Sequence, residues 1–596
     1  MTGRPHDPQG DSLATFQPSI DQFGAPLAPM HGDAASVANT LGGLDAGWTV
    51  YVRPHIGQDV PDFLVVHDRF GVCTITAIDP SAPSGAQVAA ARRHRMTIYD
   101  QCLAFPGDAR TPSPAVRSAV VVAGSSTTAA AASVDRGPFD PDRSVSIVGG
   151  TDLVEWLTTP AAGPPPTPAA LARLRRDIVV PGVVAPATPP VVLSANARVI
   201  VDNPRGVRVR GATGPAGTGK SFALTARAAR LAAEGKDVLV LSFNLTLSNR
   251  LRTLVVERCA EFGADPSRVT CTSFHTFCAR AVEDAAMSGI VAGEPTRGTW
   301  PVKIVAKTAE VFERGFDRHF DAVLVDEGQD FRLEWWNLLR EHVVRDGGEM
   351  FMATDPMVDL GGKQTWDDEA TRRAAGFVEP WIQTRDSYRM GPALIESTNE
   401  FARVSLDEGG IVPSIPDDQT TVVGHMATGV RSWRNVARVA DLGVEMGREV
   451  VRLLSEHPTL SPRDVVYLCE YHHDGLAAAQ VIEAAGHPVH HVYSRDPDDR
   501  HQRKARFWPG ADAVKGCTVH SFKGWESPAV VVGIGVEERS RRLAYASMTR
   551  VSATHGLDQS YLVVVNTDPR IASFRSTFEP GAPLDEPVDA SIDMFA

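Results

Sequence analysis

Two short stretches contain residue types that can do chemistry together. Gly214-Pro215-Ala216-Gly217-Thr218-Gly219-Lys220-Ser221 fits the spacing GxxxxGK[ST]. Glycines at this spacing let several main-chain N–H groups turn inward around phosphate oxygens. A helix starting at the end of the stretch aims its positive end at the same anion. Lys220 is then placed to neutralise β- and γ-phosphates, and the Ser221 hydroxyl to hold Mg²⁺. About 105 residues further on, the apolar run Ala322-Val323-Leu324-Val325 leads into Asp326-Glu327-Gly328-Gln329-Asp330. An aspartate there can hold Mg²⁺ through water, and the adjacent glutamate can polarise an attacking water. Together the two stretches predict a site for ATP with Mg²⁺.

These residues meet only if the chain delivers them to one edge of a sheet. Residues 206–211 alternate as a strand does, and 222–233 read as an Ala/Leu/Arg-rich helix, so strand, loop and helix occur in the required order. Residues 321–326 read as a strand ending on the acids, and ligand sites of open α/β sheets lie at that end. From about 191 to 575 strands and helices alternate, the pattern of doubly wound α/β domains. Short alternating apolar runs at 48–52, 63–67 and 72–78 predict a small α/β domain over 31–157. Pro-rich residues 158–190 read as a linker interrupted by a short helix. Residues 1–30 and the acidic 576–596 are expected to be a disordered and a frayed tail.

The 596-residue chain has room for about three or four domains. Its hydrophobic fraction of 43% and charged fraction of 22% are those of a soluble globular protein. No apolar run is long enough to span a bilayer, and the N-terminus lacks a basic region followed by an apolar one. Seven scattered cysteines without a CxxC pair suit a reducing cytoplasm and give no metal-site signal. With a net charge of −13, any nucleic-acid channel must be locally basic. His472, His473, His487, His490 and His491 cluster, but they fall in a strand–helix–strand pattern over 464–493, which favours ordinary α/β packing over a metal site.

Six ordered segments, besides the phosphate loop, resemble the motifs of superfamily 1 helicases of the UvrD/Rep type, over roughly residues 195–570. Asp326-Glu327-Gly328-Gln329-Asp330 matches the DExQD box. Residues 239–252 (LVLSFNLTLSNRLR) resemble the first DNA-contact motif, and Thr272-Ser273-Phe274-His275-Thr276-Phe277-Cys278 the following TFHSF segment. Ser387-Tyr388-Arg389 matches motif IV, Thr518-Val519-His520-Ser521-Phe522-Lys523-Gly524-Trp525-Glu526 motif V, and Tyr545-Ala546-Ser547-Met548-Thr549-Arg550 motif VI. The resemblance implies two RecA-like P-loop domains, at 191–384 and 385–575. It implies that Arg389 and Arg550 are arginine fingers on the transferred phosphoryl group, a task suited to a planar, permanently charged, multidentate guanidinium. They join Lys220, Glu327 and Gln329 in the implied catalytic set. Tyr388 would stack on adenine and Glu526 would accept from the ribose. Phe243, Asn244, Phe274, His275 and His520 would contact single-stranded or partly duplex DNA, aromatic faces stacking on bases without sequence preference. Phe274 suits core packing equally well. The implied activity is 3′ to 5′ translocation or unwinding in DNA repair, recombination or phage defence.

Three departures qualify that transfer. The family's GDxxQ box places a γ-phosphate-sensing Gln where this chain has Val358, which cannot hydrogen-bond. The adenine-reading Gln upstream of the loop is missing from 193–198, where Asn196 is the nearest substitute. The insertions are short, with about 48 residues between Phe277 and Asp326 and about 128 between Arg389 and Thr518. A compact motor, weak at unwinding without a partner, is the expectation. A nucleotide-gated switch or sensor without productive unwinding is the alternative.

Residues 31–157 are faintly similar to nuclease-related (NERD) domains, a degenerate restriction-endonuclease-like type. The family places an aspartate on one strand and ExK on the next, the acids binding Mg²⁺ and the lysine balancing charge. Asp62 matches, but Thr76 and Ile78 stand at the Glu and Lys positions. No Glu precedes Glu155 and no Lys precedes Lys220, so no shift of alignment restores the set. The expectation is a catalytically silent domain that docks nucleic acid or a protein partner, with Arg92, Arg93 and Arg95 as contacts or as a solvated patch.

Overall fold

The computed structural model describes residues 14–17, 32–54, 59–79, 84–98, 116–136, 140, 143–161, 163, 165–178, 195–203, 207–287, 290, 302–355, 366, 368–378, 380–385, 389–406, 428–507, 512–552 and 559–579. The chain clusters into two compact units, residues 1–186 with 283–295, and residues 187–282 with 296–596.

The first unit is built on one mixed sheet of β1 (Thr15–Gln17), β2 (Trp48–Val52), β3 (Phe63–His67), β4 (Gly71–Ala77), β5 (Val116–Val122) and β6 (Ser146–Gly149), in that order. β2, β3 and β4 pair antiparallel; β1 joins β2, and β5 and β6 continue from β4, in parallel. Side chains alternate between faces. Phe63 and Val65 pack with Trp48, Val50 and the helix Gly32–Gly42, whereas Leu64 and Val66 pack with Tyr51 and Val72 on the other face. Two sequence expectations change here. Residues 15–17, inside the expected disordered tail, form an edge strand whose main chain pairs with residues 49–51. The helix Pro168–Asp177, read as a linker element, buries Ala170, Leu171 and Leu174 against that second face. Its apolar stripe is what ties it down, despite flanking prolines.

The second unit carries two six-stranded, wholly parallel sheets. One contains β7 (Val209–Thr213), β8 (Val238–Ser242), β9 (Val269–Ser273), β10 (Phe320–Asp326), β11 (Val344–Thr354) and β12 (Ile382–Gln383), ordered β12-β7-β11-β10-β8-β9. The other contains β13 (Thr428–Asn435), β14 (Val465–Cys469), β15 (Val489–His491), β16 (Val514–Thr518), β17 (Ala529–Ile534) and β18 (Gln559–Asn566), ordered β13-β18-β17-β14-β16-β15. Parallel strands are covered on both faces, which is why β14, and β8 up to its final Ser242, read as unbroken apolar runs and are buried throughout. The expected strand at 206–211 lies slightly later, at Val209–Thr213, and the helix begins at Lys220. Among the described residues, no helix is long and apolar enough to cross a membrane.

Candidate functional site

The site is assembled at the carboxyl ends of β7, β11 and β10. After β7 the chain turns at Gly214, where an added Cβ would lie 2.0 Å from the Thr384 carbonyl oxygen, so only glycine fits. Thr384 follows the edge strand β12, and its hydroxyl lies 2.8 Å from that of Thr218 in the loop. Gly219 takes the left-handed conformation (φ +80) and opens the helix Lys220–Ala233, with no side chain capping its first N–H groups. Lys220 is buried, and its Nζ donates to the Gly214 oxygen at 2.6 Å and the Pro215 oxygen at 2.7 Å. Burial lowers its pKa, opposed by Asp355, Glu327 and Asp326, so the three carboxylates face the lysine.

β10 delivers the acids from two strands away, roughly 10 Å at the usual strand spacing. Glu327 turns the chain in a left-handed conformation (φ +53), uncommon for a residue with a side chain and typical of sites held by their surroundings. Its carboxylate accepts from Gln329 Nε2 at 2.5 Å, while Gln329 Oε1 accepts from the Asp355 N–H at 3.0 Å. Burial works against ionisation of Glu327, but Lys523, Arg550 and Lys220 outweigh it and hold the group below the usual carboxylate range. Asp326 is shifted the other way, to about 6, by burial and then by Glu327. Its Oδ1 accepts from the Glu327 N–H, and its Oδ2 is buried without a hydrogen-bond partner among the described residues. An unsatisfied buried carboxylate oxygen, with Ser221 close enough to lower its pKa, fits a hard divalent cation such as Mg²⁺.

The second parallel sheet contributes cations. The helix Glu538–Met548, following β17, carries Tyr545 and leads to Arg550. Arg550 is 3% exposed; its Nε donates to the Ala546 oxygen, and its Nη2, like the buried Tyr545 hydroxyl, has no partner among the described residues. Lys523 donates to Asp330 Oδ2 at 2.9 Å. Arg389 Nε donates to Glu526 Oε2 at 2.8 Å, and its Nη1 to the Thr549 oxygen at 3.2 Å. The other oxygen of Glu526 accepts from Arg250 Nη2 at 2.5 Å. Although burial opposes it, Arg250 and Arg389 pull the Glu526 pKa down to about 2. Asn244 Nδ2 donates to the His520 carbonyl at 2.5 Å, so two expected DNA contacts engage one another.

The aromatic segment separates by depth. Phe243 is 39% exposed and stacks on Trp335 (centroids 5.8 Å, planes 16° apart). Trp335 in turn stacks with Phe274 (4.9 Å, 20°). Phe274 is fully buried at the start of the helix Phe274–Met287, packed also on Phe331. The expectation that Phe274 contacts bases is therefore corrected: it is core, and its ring has no accessible face. His275, largely enclosed with its pKa pushed by burial to about 4, meets Phe243 and Trp335 edge-on and supports the stack. Tyr388 and Val358 lie outside the described residues.

Beside Thr384 lies a cavity of about 510 Å³, lined by Asn196, Arg210, Trp381, Gln383 and Arg385 among others. It combines an apolar ring wall with amide and guanidinium groups, a lining suited to a planar heterocycle.

Three residues at the site escaped the sequence reading. Thr384 carries no motif signal, because its role comes from strand order, whereas Asp355 stands at the aspartate position of the GDxxQ-like segment that ends at Val358. Arg250 and Trp335 lie within or beside quoted segments, yet nothing in their spacing marks them.

In the first unit, Asp62 Oδ2 accepts from the Ala77 N–H at 2.9 Å and Thr76 Oγ1 lies 3.5 Å from His94 Nδ1. Arg95 Nε donates to the Val116 oxygen, and Arg93 lies 3.4 Å from Glu283, which clusters with this unit. No family model matches the chain, and no curated protein matches it.

Proposed function

We propose that the second unit is an ATP-driven motor of the superfamily 1 type, two RecA-like domains hydrolysing ATP and moving on single-stranded DNA. The observation that carries this reading is the meeting of Lys220, Asp326, Glu327 and Arg550 around one strand end, with unsatisfied polar atoms on Asp326, Arg550 and Tyr545 at the same place. Buried polar groups are ordinarily paired. Three orphans around one glycine loop are best explained by a polyanionic ligand with its cation.

In this reading the loop N–H groups and Lys220 bind the phosphates. Ser221 and Asp326 hold Mg²⁺, which when bound neutralises charge on the phosphoryl group being transferred. Glu327, ionised and oriented by Gln329, accepts the proton of the attacking water. Arg550 stabilises negative charge on the transferred group, and Arg389 does so once it leaves Glu526. The cavity lined by Asn196 and Trp381 receives the base. Phe243, backed by Trp335, offers an exposed ring to DNA bases, with Asn244 and His520 beside it. The first unit, lacking Glu and Lys at the nuclease positions, serves nucleic-acid or partner docking in a cytoplasmic protein. Metal-dependent DNA cleavage that disappears in Asp62→Ala would overturn that part.

A second reading, a nucleotide-gated switch without productive unwinding, draws on Val358 and on the Asn244–His520 hydrogen bond, which ties two expected DNA contacts together. A strand-displacement assay with the purified protein separates the two. ATP-dependent displacement of a 3′-tailed duplex supports the motor; DNA-stimulated hydrolysis without displacement supports the switch.

A further inference from the structure

The helix Leu245–Phe262 is bonded along its first turns to residues on both sides of β16. Asn244 donates to the His520 carbonyl, Thr246 to the Ser521 carbonyl, and Asn249 to the Phe507 carbonyl at 3.2 Å. Leu247 packs so closely on Gly524 that a Cβ there would lie 2.4 Å from it. The last link of this series is charged: Arg250 reaches Glu526, the residue that also holds Arg389. One carboxylate is thus shared by two guanidinium groups, one on the helix that Asn244 caps and one belonging to the nucleotide site.

We infer that Arg250 is a positioning residue, which sets how firmly Glu526 holds Arg389 and so couples nucleic acid at the start of its helix to the phosphoryl-transfer site. This rests on the motor reading above. The physical argument is competition. Each oxygen of Glu526 accepts one charge-assisted hydrogen bond, and such bonds are the strong ones. While Arg250 occupies Oε1, it neutralises the carboxylate and weakens its grip on Arg389. Without Arg250, Arg389 is the only cation bonded to Glu526, and the finger stays on the carboxylate rather than reaching the phosphoryl group. Nucleic acid bound at Phe243 and Asn244 shifts the same helix turns that carry Arg250, so it acts on Arg389 without touching it.

The test is the ratio of ATP hydrolysis with and without a saturating single-stranded oligonucleotide, with oligonucleotide affinity read separately by fluorescence anisotropy. Arg250→Gln is expected to lower the ratio about tenfold while affinity stays within about twofold. Arg250→Lys, which restores a cation, is expected to recover most of the ratio. Arg250→Met, which keeps the aliphatic stem, guards against a folding defect and is expected to behave as Arg250→Gln. A general structural role lowers both rates together and leaves the ratio at its wild-type value; that result, or a ratio lost only with affinity, overturns the inference. A wild-type protein whose hydrolysis no oligonucleotide stimulates contradicts the motor reading itself, a separate failure.

Discussion

Gln329 donates its side-chain N–H to Glu327 at 2.5 Å while its oxygen accepts from the Asp355 main chain. The glutamine therefore braces the proposed base against the end of the neighbouring strand. Glu327→Gln keeps the shape and removes the proton acceptor. Turnover is expected to fall by about 10²–10⁴-fold, with nucleotide affinity little changed. Gln329→Leu leaves the carboxylate but frees it, and about a tenfold loss is expected. Phosphate release in a stopped-flow experiment reads both, and normal turnover by Glu327→Gln would mean that another group is the base.

Phe243 and Phe274 belong to one ring stack but should fail in different ways. Phe243→Ala removes an exposed ring and is expected to weaken oligonucleotide binding by about 1–3 kcal/mol with little change in melting temperature. Phe274→Ala empties a core position and is expected to cost about 3–5 kcal/mol of stability. Anisotropy and thermal unfolding, run on both variants, check the assignment. A large stability loss for Phe243→Ala contradicts it.

The Glu526 pKa, near 2 rather than its ordinary 4.5, gives stability a pH dependence. A depressed carboxylate pKa contributes stability fully above about 4.5, and that contribution is lost as pH falls through about 2. The side chain is partly exposed, so screening reduces the effect to about 1–2 kcal/mol. Urea unfolding should show the wild type exceeding Glu526→Gln by more at pH 6 than at pH 3. A gap that does not narrow on acidification would show that the two arginines do not hold this carboxylate.

Gly214→Ala places a methyl group 2.0 Å from the Thr384 carbonyl and 2.3 Å from its hydroxyl. The nearest atom is main chain, so truncating Thr384 to alanine should not relieve the clash. Overpacking of this kind costs about 1–3 kcal/mol and displaces the loop. The expected result is a lower melting temperature together with weaker nucleotide binding, in the presence or absence of Thr384→Ala. Rescue by the second substitution would contradict the main-chain contact.

Much of this arrangement was legible because it is local. Strands at 48–52 and 63–67 declared themselves through β-branched and aromatic runs, and the glycine loop through its spacing. Asp326 and Glu327 were legible as the end of an apolar strand. What escaped depends on strand order and depth. Thr384 matters because β12 lies next to β7, and that neighbourhood joins residues far apart in sequence. Trp335 was missed because its helix gives no sign of which ring stacks upon it. The short helix expected within the Pro-rich 158–190 is Pro168–Asp177; its packing was not legible, because sequence does not reveal the partner of its apolar stripe, the face bearing Leu64 and Val66. The edge strand Thr15–Gln17 is three residues long in polar surroundings, too short for periodicity to show.

ATP hydrolysis by the full chain, with and without single-stranded DNA and beside Lys220→Ala, tests the central claim most directly. Hydrolysis that DNA raises several-fold, and that Lys220→Ala abolishes, is the expected result. Hydrolysis indifferent to DNA and RNA, or unaffected by Lys220→Ala, would contradict the account.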